Sequence, residues 1–520
     1  MPDRSILDFL MKYFVAEVNW VDQLVYLPWV LEQYQLWWTI KRPSSVFDLE
    51  FAVVILRMCS YASEFLPSQS YTIEKIRGIS LANIRNACDD VADDIALTCT
   101  RLNPKGSLLR VQHLAFAGLK SRCEGRVRVF RDRLSCAIQV ALKIGIDSDA
   151  TRLAPDMGEL EKEMRRRVFC NLYIWDSLLS RQLDRIAILP YCLSPENMPR
   201  MHLGPDLDGN KDLCEFTERL LQARLANFWK SPPANYNSEY DVIAAEERYG
   251  RFCNEYLATL PSAFALQPNK QWDESLSMLP KQREVLHIFI FESLCCNFRP
   301  ALSREPSKTQ YLPKYKQDLL LSHRKALAVA AIYIIKHASS LHVLMGGSQT
   351  RFTEIIRPTF EAAVLLVHLC MDENQFEEDE TRHPSLFTVD PLRASMASFK
   401  REECTHAIRD ALGRLQMLAE VSHMAEMGAQ ALVQRLQRTR AKRLGGARAG
   451  DSERGASPAN GGPLQADGIA RDLHVPEYSD PGSVSLPDLA TVPAPDVSDM
   501  DWEALASGIR KFSSGEYMNL

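Results

Sequence analysis

Large apolar residues recur every three or four positions along most of the chain, the spacing that puts side chains on one face of an α-helix. Val168, Leu172, Trp175, Leu179, Leu183 and Ile186 step by 4, 3, 4, 4 and 3. Pro190 is expected to stop that helix, because its ring clashes with the preceding turn. Val127, Phe130, Leu134, Ala137, Ile138, Ala141 and Leu142 form a second stripe, with Gly145 where a helix needs a left-handed last residue. At the N-terminus Phe9, Tyr13 and Phe14 fall on one face with Ile6 and Leu10, and the rings from Phe9 to Trp38 are too many to be left in water. Further stripes run over 283–297, 316–337, 359–371 and 405–438, whereas convincing alternating strands with Asn-Gly or Asp-Gly turns are missing. The pattern predicts an all-α fold, broken at 189–210, 231–238, 299–315 and the acidic stretch Asp372–Glu380.

After Leu444 the composition shifts to glycine and proline with few large apolar residues. Such a segment cannot bury enough surface to offset its ordering entropy, so 445–520 reads as a disordered tail. Arg435, Arg438, Arg440, Lys442, Arg443 and Arg448 cluster at its start, and nine Asp or Glu face one Arg between Asp467 and Glu503. The 520 residues, 46% hydrophobic, suffice for two or more packed domains. A net charge of -5 gives the chain as a whole no footprint for nucleic acid phosphates. The 13 cysteines are scattered apart from Cys295 and Cys296, which suits reduced thiols inside a cell. Phe51–Leu56, Val285–Phe291 and Leu327–Ile335, the most apolar runs, fall short of the ~20 residues a bilayer span needs, so no membrane association is expected.

The stretch Glu163 to Ser180, EMRRRVFCNLYIWDSLLS, carries an acidic residue, Arg165, Arg166, Arg167, Phe169, the Leu172-Tyr173 step, Asp176 and Ser180. In that order they resemble the signature of the fungal-specific transcription factor domain, the middle homology region of the binuclear zinc-cluster transcription factors. Segment 8–40 is similar to the entry of that domain, and Ala137–Gly145 to its short Ala-x-x-Leu-Gly-Leu helix. Two features depart from the family. Asp184-Arg185-Ile186 stands where it usually has Gly-Arg-Pro, and no Cys-x-x-Cys occurs anywhere in the sequence. A two-zinc, six-thiolate cluster needs such short spacings to bring its ligands within ~2.3 Å of the metal. The resemblance implies a large multi-helix regulatory domain at 1–300, continued by helices at 301–444 and followed by the tail.

Asp89-Asp90-Val-Ala-Asp93-Asp94 places carboxylates one helical turn apart, as the magnesium-binding motif of class I terpene cyclases does. An all-α enzyme of that type is the alternative reading. Asp176, Ser180 and Asp184 only imitate its second element, and a solvated acidic helix face is the plainer account. Glu161 and Glu163 precede Arg165 and Arg167 by four residues, the spacing of helix-stabilising ion pairs. Asp176 lies beside the apolar stripe and is expected to need a cationic partner such as an arginine. Glycine-rich phosphate loops, His-Glu-x-x-His and Gly-x-Ser-x-Gly are absent. No catalytic residue, cofactor or metal is assigned. The expectation is a nuclear regulator working with the transcription machinery or another regulator, a homodimer being one form it could take, with no DNA binding by this chain alone. Arg435, Arg438, Arg440, Lys442 and Arg443 would serve nuclear import. Asp499, Asp501, Trp502 and Leu505 would form an acidic-aromatic activation segment.

Overall fold

A computed structural model describes residues 2–66, 75–76, 79–147, 157–183, 185–200, 213–230, 240–302, 309–347, 350–370, 390–396 and 399–450, without side chains at 75–76, 394 and 439–450. These residues are all-α apart from two-residue strands at Lys75–Ile76 and Ile79–Ser80. They fall into two compact units, one within Met1–Ser231 and the other within Pro232–Pro476.

The first unit contains α1 (Arg4–Tyr13), α2 (Leu27–Trp37), α3 (Val46–Ala62), α4 (Leu81–Leu102), α5 (Leu108–Cys123), α6 (Val127–Lys143), α7 (Glu159–Gln182) and α8 (Thr217–Lys230). Side-chain oxygens start several of them: Asp3, Ser45, Ser80 and Ser107 accept from first-turn amides, and Ser45 forms a full capping box with Asp48. α6 ends at Gly145 with φ 72°, the left-handed residue its stripe predicts. α3 packs on α1, α4 and α5, and α7 on α5, α6 and α8. Gly118 lets α5 and α6 close up, since a Cβ there would stand 3.0 Å from the Phe130 ring. The N-terminal rings are packed against one another and the core, with Phe14 on Phe116 at 5.7 Å and Trp29 on Phe51 at 5.9 Å. Phe9 is the exception. It is 37% exposed, and the buried face of α1 is Ile6, Leu7, Leu10, Met11 and Phe14, because the core covers one side of this helix more narrowly than its string of rings suggests.

Gln23 adopts φ 47°, in the left-handed region that non-glycine residues rarely occupy. Its buried side chain is held from both ends, donating to the Glu215 carbonyl at 2.5 Å and accepting from Arg167 at 3.4 Å. These contacts bridge 192 and 144 positions of sequence.

The second unit is an array of α9 (Val242–Glu255), α10 (Leu279–Phe298), α11 (Lys314–Leu344), α12 (Thr353–Leu369), the short α13 (Arg393–Met396), α14 (Arg401–Leu418) and α15 (His423–Gly450). α10 packs on α11, α11 on α12, and α12 on α14 and α15. The single stripe read over 405–438 is two helices, broken where Ser422 caps the second through its carbonyl to Glu426 and its hydroxyl to Ala425. α15 runs past Leu444 to Gly450, as alanines and arginines among the glycines sustain it. The tail from 451 lies outside the described residues. α10 with its following turn (Leu279–Leu302) and α11 are long and apolar enough to cross a bilayer, longer than the uninterrupted apolar runs indicate. In this unit they pack on each other, with 72% and 56% of their most apolar windows buried.

Two clusters of buried polar groups stand out in the second unit. Arg357 gathers three carboxylates, Glu292 at 2.8 Å, Glu361 at 3.1 Å and Glu354 at 3.4 Å, and burial lifts Glu292 to about 7. His323 is 1% exposed, with Nδ1 2.8 Å from the Tyr240 hydroxyl and Nε2 3.0 Å from Glu246, which also pairs with Arg393.

Two buried histidines set the acid response. Burial, aided by Arg57, Arg110 and Arg133, lowers His113 to about 3, and burial next to His337 lowers His287 to about 4. Unfolded histidine takes up its proton near 6.5, so from there down to the folded values the unfolded chain binds more protons. Stability is therefore full above about pH 6.5 and lost as pH falls, by ~1.4 kcal/mol per pH unit for each histidine. His113→Gln should flatten the pH dependence of urea unfolding of the first unit between pH 6 and 5 by about that amount. An unchanged slope would show that the folded protein accommodates a charged His113.

Candidate functional site

The residues of the family signature all lie on α7, the 24-residue helix Glu159–Gln182. Arg165 pairs with Glu161 at 3.1 Å and Arg167 with Glu163 at 3.2 Å, the four-residue pairs that the spacing predicts. Glu163 is fully buried and also accepts from Arg166 at 3.1 Å and from the Arg200 backbone amide at 3.1 Å. Arg167 lies over the Phe216 ring at 4.8 Å. One turn on, Asn171 donates to the Asp22 carbonyl at 2.7 Å and accepts from Arg219 at 2.7 Å, while Tyr61 donates to the Asp22 carboxylate at 3.2 Å. Phe169 fills the core at 1% exposure, and the Ser180 hydroxyl only turns back to the Ser177 carbonyl at 2.9 Å.

Among the described residues Asp176 pairs with no arginine. Its carboxylate, 3% exposed, accepts the backbone amides of Ile188 at 3.0 Å and Leu189 at 2.8 Å, two donors that no side-chain pattern reveals. This explains why the helix stops at Gln182, well before Pro190. The chain turns back so that its amides reach Asp176, with the Arg185 amide donating to the Ser180 carbonyl at 2.9 Å. Ile186, counted in the apolar stripe, is left outside the helix and 89% exposed. Asp184 lies outside the described residues.

α8 completes the corner. Tyr173 donates to Asn227 Oδ1 at 2.6 Å, and the Asn227 amide group bonds both backbone groups of Leu193 at 2.9 Å. Lys230 lies over the Tyr173 ring at 4.0 Å and donates to the Leu189 carbonyl at 2.5 Å. Burial pulls its ammonium down to about 8, against the opposing pull of Asp176. Sequence reasoning missed Asn171, Asn227 and Lys230, whose polar side chains carry no periodic signal of their own.

The acidic motif on α4 faces inward at its first member. Asp89 pairs with Arg57 of α3 and, at 2.5 Å, with Lys120 of α5, and it accepts from Ser60 at 3.2 Å. Burial opposes its charge, but Lys120 and Arg57 outweigh it and hold the carboxyl below its ordinary value. Asp93, half-exposed, shares Arg57 at 2.5 Å, while Asp90 and Asp94 face solvent. The reading of a wholly solvated face is thus corrected at Asp89, which ties three helices together. Carboxylates already neutralised by two buried cations are poor magnesium ligands, which removes the basis for the cyclase alternative. In the basic cluster Arg435 is half-buried and Arg438 exposed; the side chains of Arg440, Lys442 and Arg443 are outside the described residues, as are Asp499, Asp501, Trp502 and Leu505.

This geometry builds a buried corner, and comparisons with known proteins show which family the chain belongs to. The chain is 40% identical over 444 residues to the probable transcription factor sol4 of Alternaria solani, covering 83% of this chain and 78% of that protein. It is 42% identical over 445 residues to the transcription factor xilB of Penicillium rubens, covering 82% of this chain but spanning only 65% of xilB. No family model matches the chain, and no solved structure matches it. The chain belongs to the same family as these two proteins, one of fungal transcription factors.

Removing Asp176 leaves a buried and a part-buried amide unanswered at ~1–3 kcal/mol each, so Asp176→Ala should cost about 2–6 kcal/mol in urea unfolding. Asp89→Ala leaves Arg57 with Asp93 and Lys120 with Glu124 but removes the acid the two cations share, and should cost about 1–3 kcal/mol. Asp94→Ala should change stability by less than ~0.5 kcal/mol. Equal unfolding midpoints for the three variants would refute these assignments.

Proposed function

We propose that this protein is a nuclear regulator of transcription whose helical units form a regulatory body of the middle-homology kind and which carries no zinc cluster of its own. The observation behind this reading is the alignment with sol4 along most of both chains. The signature helix adds to it, since its residues hold one defined corner instead of lining a catalytic cleft. The missing Cys-x-x-Cys spacing and the net charge of -5 support a chain that reaches DNA through another regulator, a second copy of itself bound to such a regulator, or sequence outside the 520 residues. The basic cluster Arg435, Arg438, Arg440, Lys442 and Arg443 at the end of α15 is the proposed import signal.

The output is assigned to the acidic-aromatic segment. Repulsion among Asp496, Asp499, Asp501 and Glu503 keeps Met500, Trp502 and Leu505 from collapsing together, leaving them for the groove of a coactivator. Residues 490–520 fused to a heterologous DNA-binding domain should activate a reporter. Trp502→Ala should abolish most of that activity, because the ring supplies the largest apolar area. A silent fusion, or an active one indifferent to Trp502→Ala, removes the activation role. The purified chain should not shift double-stranded DNA at physiological salt, and a specific shift at nanomolar protein would overturn the cluster-free reading.

A further inference from the structure

All 13 cysteines are in the reduced thiol form, and most are sealed in the core. One pair stands apart. Cys370 caps the C-terminus of α12, and Cys404 lies in the first turns of α14, two helices that pack together. The two thiols hydrogen-bond each other across that contact. Cys370 is half-buried and so reachable from solvent, while Cys404 is fully buried. Arg401, three residues before Cys404, donates to the Cys370 carbonyl at 3.0 Å and fixes the start of α14 against the end of α12.

We propose that Cys370 and Cys404 are a peroxide-responsive dithiol that closes to a disulfide and fastens the end of α12 to the start of α14. The oxidant is hydrogen peroxide or an organic hydroperoxide. Cys370, the accessible member, attacks as its thiolate on the outer peroxide oxygen: an S–O bond forms, the O–O bond breaks, and hydroxide or alkoxide leaves, becoming water or an alcohol with the proton Cys370 gave up on ionising. Cys404 attacks the resulting sulfenic sulfur: the S–S bond forms, the S–O bond breaks, and hydroxide departs as water with the Cys404 proton. Two thiols lose two electrons and the peroxide gains them. The Cys370 hydrogen bond together with burial raises the Cys404 thiol far above its ordinary value, which keeps it protonated until its proton passes to the departing hydroxide and leaves Cys370 as the member that meets the peroxide. Their contact brings the two thiols together in the reduced chain, and Arg401, one turn before Cys404 on α14, is held at the Cys370 carbonyl, so the two residues face one another across the helix contact. By contrast, Cys59 and Cys88 are both fully buried and out of a peroxide's reach. Cys136 and Cys192 are exposed but have no thiol against them among the described contacts.

The test treats the full reduced chain with a small molar excess of hydrogen peroxide, alkylates the remaining thiols and maps peptides without reduction. The Cys370 and Cys404 peptides should appear joined, two hydrogens lighter than their sum, and dithiothreitol should separate them. In Cys404→Ala the Cys370 sulfenic acid has no resolving partner and should accumulate as a dimedone adduct that the unsubstituted chain does not give. Cys370→Ser should leave Cys404 a free thiol at the same dose. The proposal is overturned if Cys370 oxidises to its sulfinic or sulfonic acid without the linked peptide, if exposed Cys136 and Cys192 react while Cys370 does not, or if Cys404→Ala shows no adduct.

Discussion

A carboxylate taken out of water must be met by donors, or it costs the fold several kcal/mol. α7 buries two, Glu163 and Asp176, and the donors that meet them come largely from the backbone that follows the helix. Residues 188, 189 and 200 are drawn down onto the helix they have just left. α8 is drawn in after them through Asn227 on Leu193 and Lys230 on Leu189. An acid one turn earlier or later on α7 would face a different neighbour, so the helix, its return segment and α8 define one another. The run of acid, arginine and aromatic positions along α7 is the imprint of that corner. The aromatic positions fill the core beneath it, and the arginines satisfy the remaining oxygens of Glu163.

The same demand runs through the rest of the first unit. Arg110 with Glu50 at 2.8 Å, and Arg57 and Lys120 with Asp89, are internal ion pairs between helices. Such pairs add little net stability over apolar side chains of the same size, but a slipped packing would strand a charge, so they select one arrangement of helices. The second unit relies more on its apolar α10–α11 pair. It keeps its polar clusters where α9 and α12 must be fixed, at His323 with Glu246 and at Arg357 with its three acids.

The all-α class was legible because a helix writes its buried face into the sequence every 3.6 residues, and α6 with its left-handed Gly145 could be read almost residue by residue. Periodicity does not say where a stripe ceases to be helix. Ile186 continues the spacing but not the structure, and 405–438 holds two helices whose apolar positions stay nearly in phase across the Ser422 break. Polar partners were less legible still. The i,i+4 pairs of Arg165 and Arg167 are local and readable, whereas Asp176 is answered by backbone amides and Asp89 by residues 32 and 31 positions away. Depth fails in the same way. Phe9 has the spacing of a core residue on a helix side that no neighbour covers.

Asp22 and Gln23 are made early and completed late. The Asp22 carbonyl waits for Asn171, 149 residues on, and the left-handed backbone of Gln23 is held only once Arg167 and the Glu215 carbonyl exist. At ~5–20 residues per second on a ribosome, that is a delay of roughly 7–40 s during which the N-terminal rings have emerged but their polar anchors have not. The rings of α1 and α2 can pack on α3 and α5 within that interval, so the apolar contacts precede the polar ones. A nascent chain cut off before α8 would keep its ring packing and still lack the Glu215 carbonyl and Arg219, which fasten Gln23 and Asp22 last.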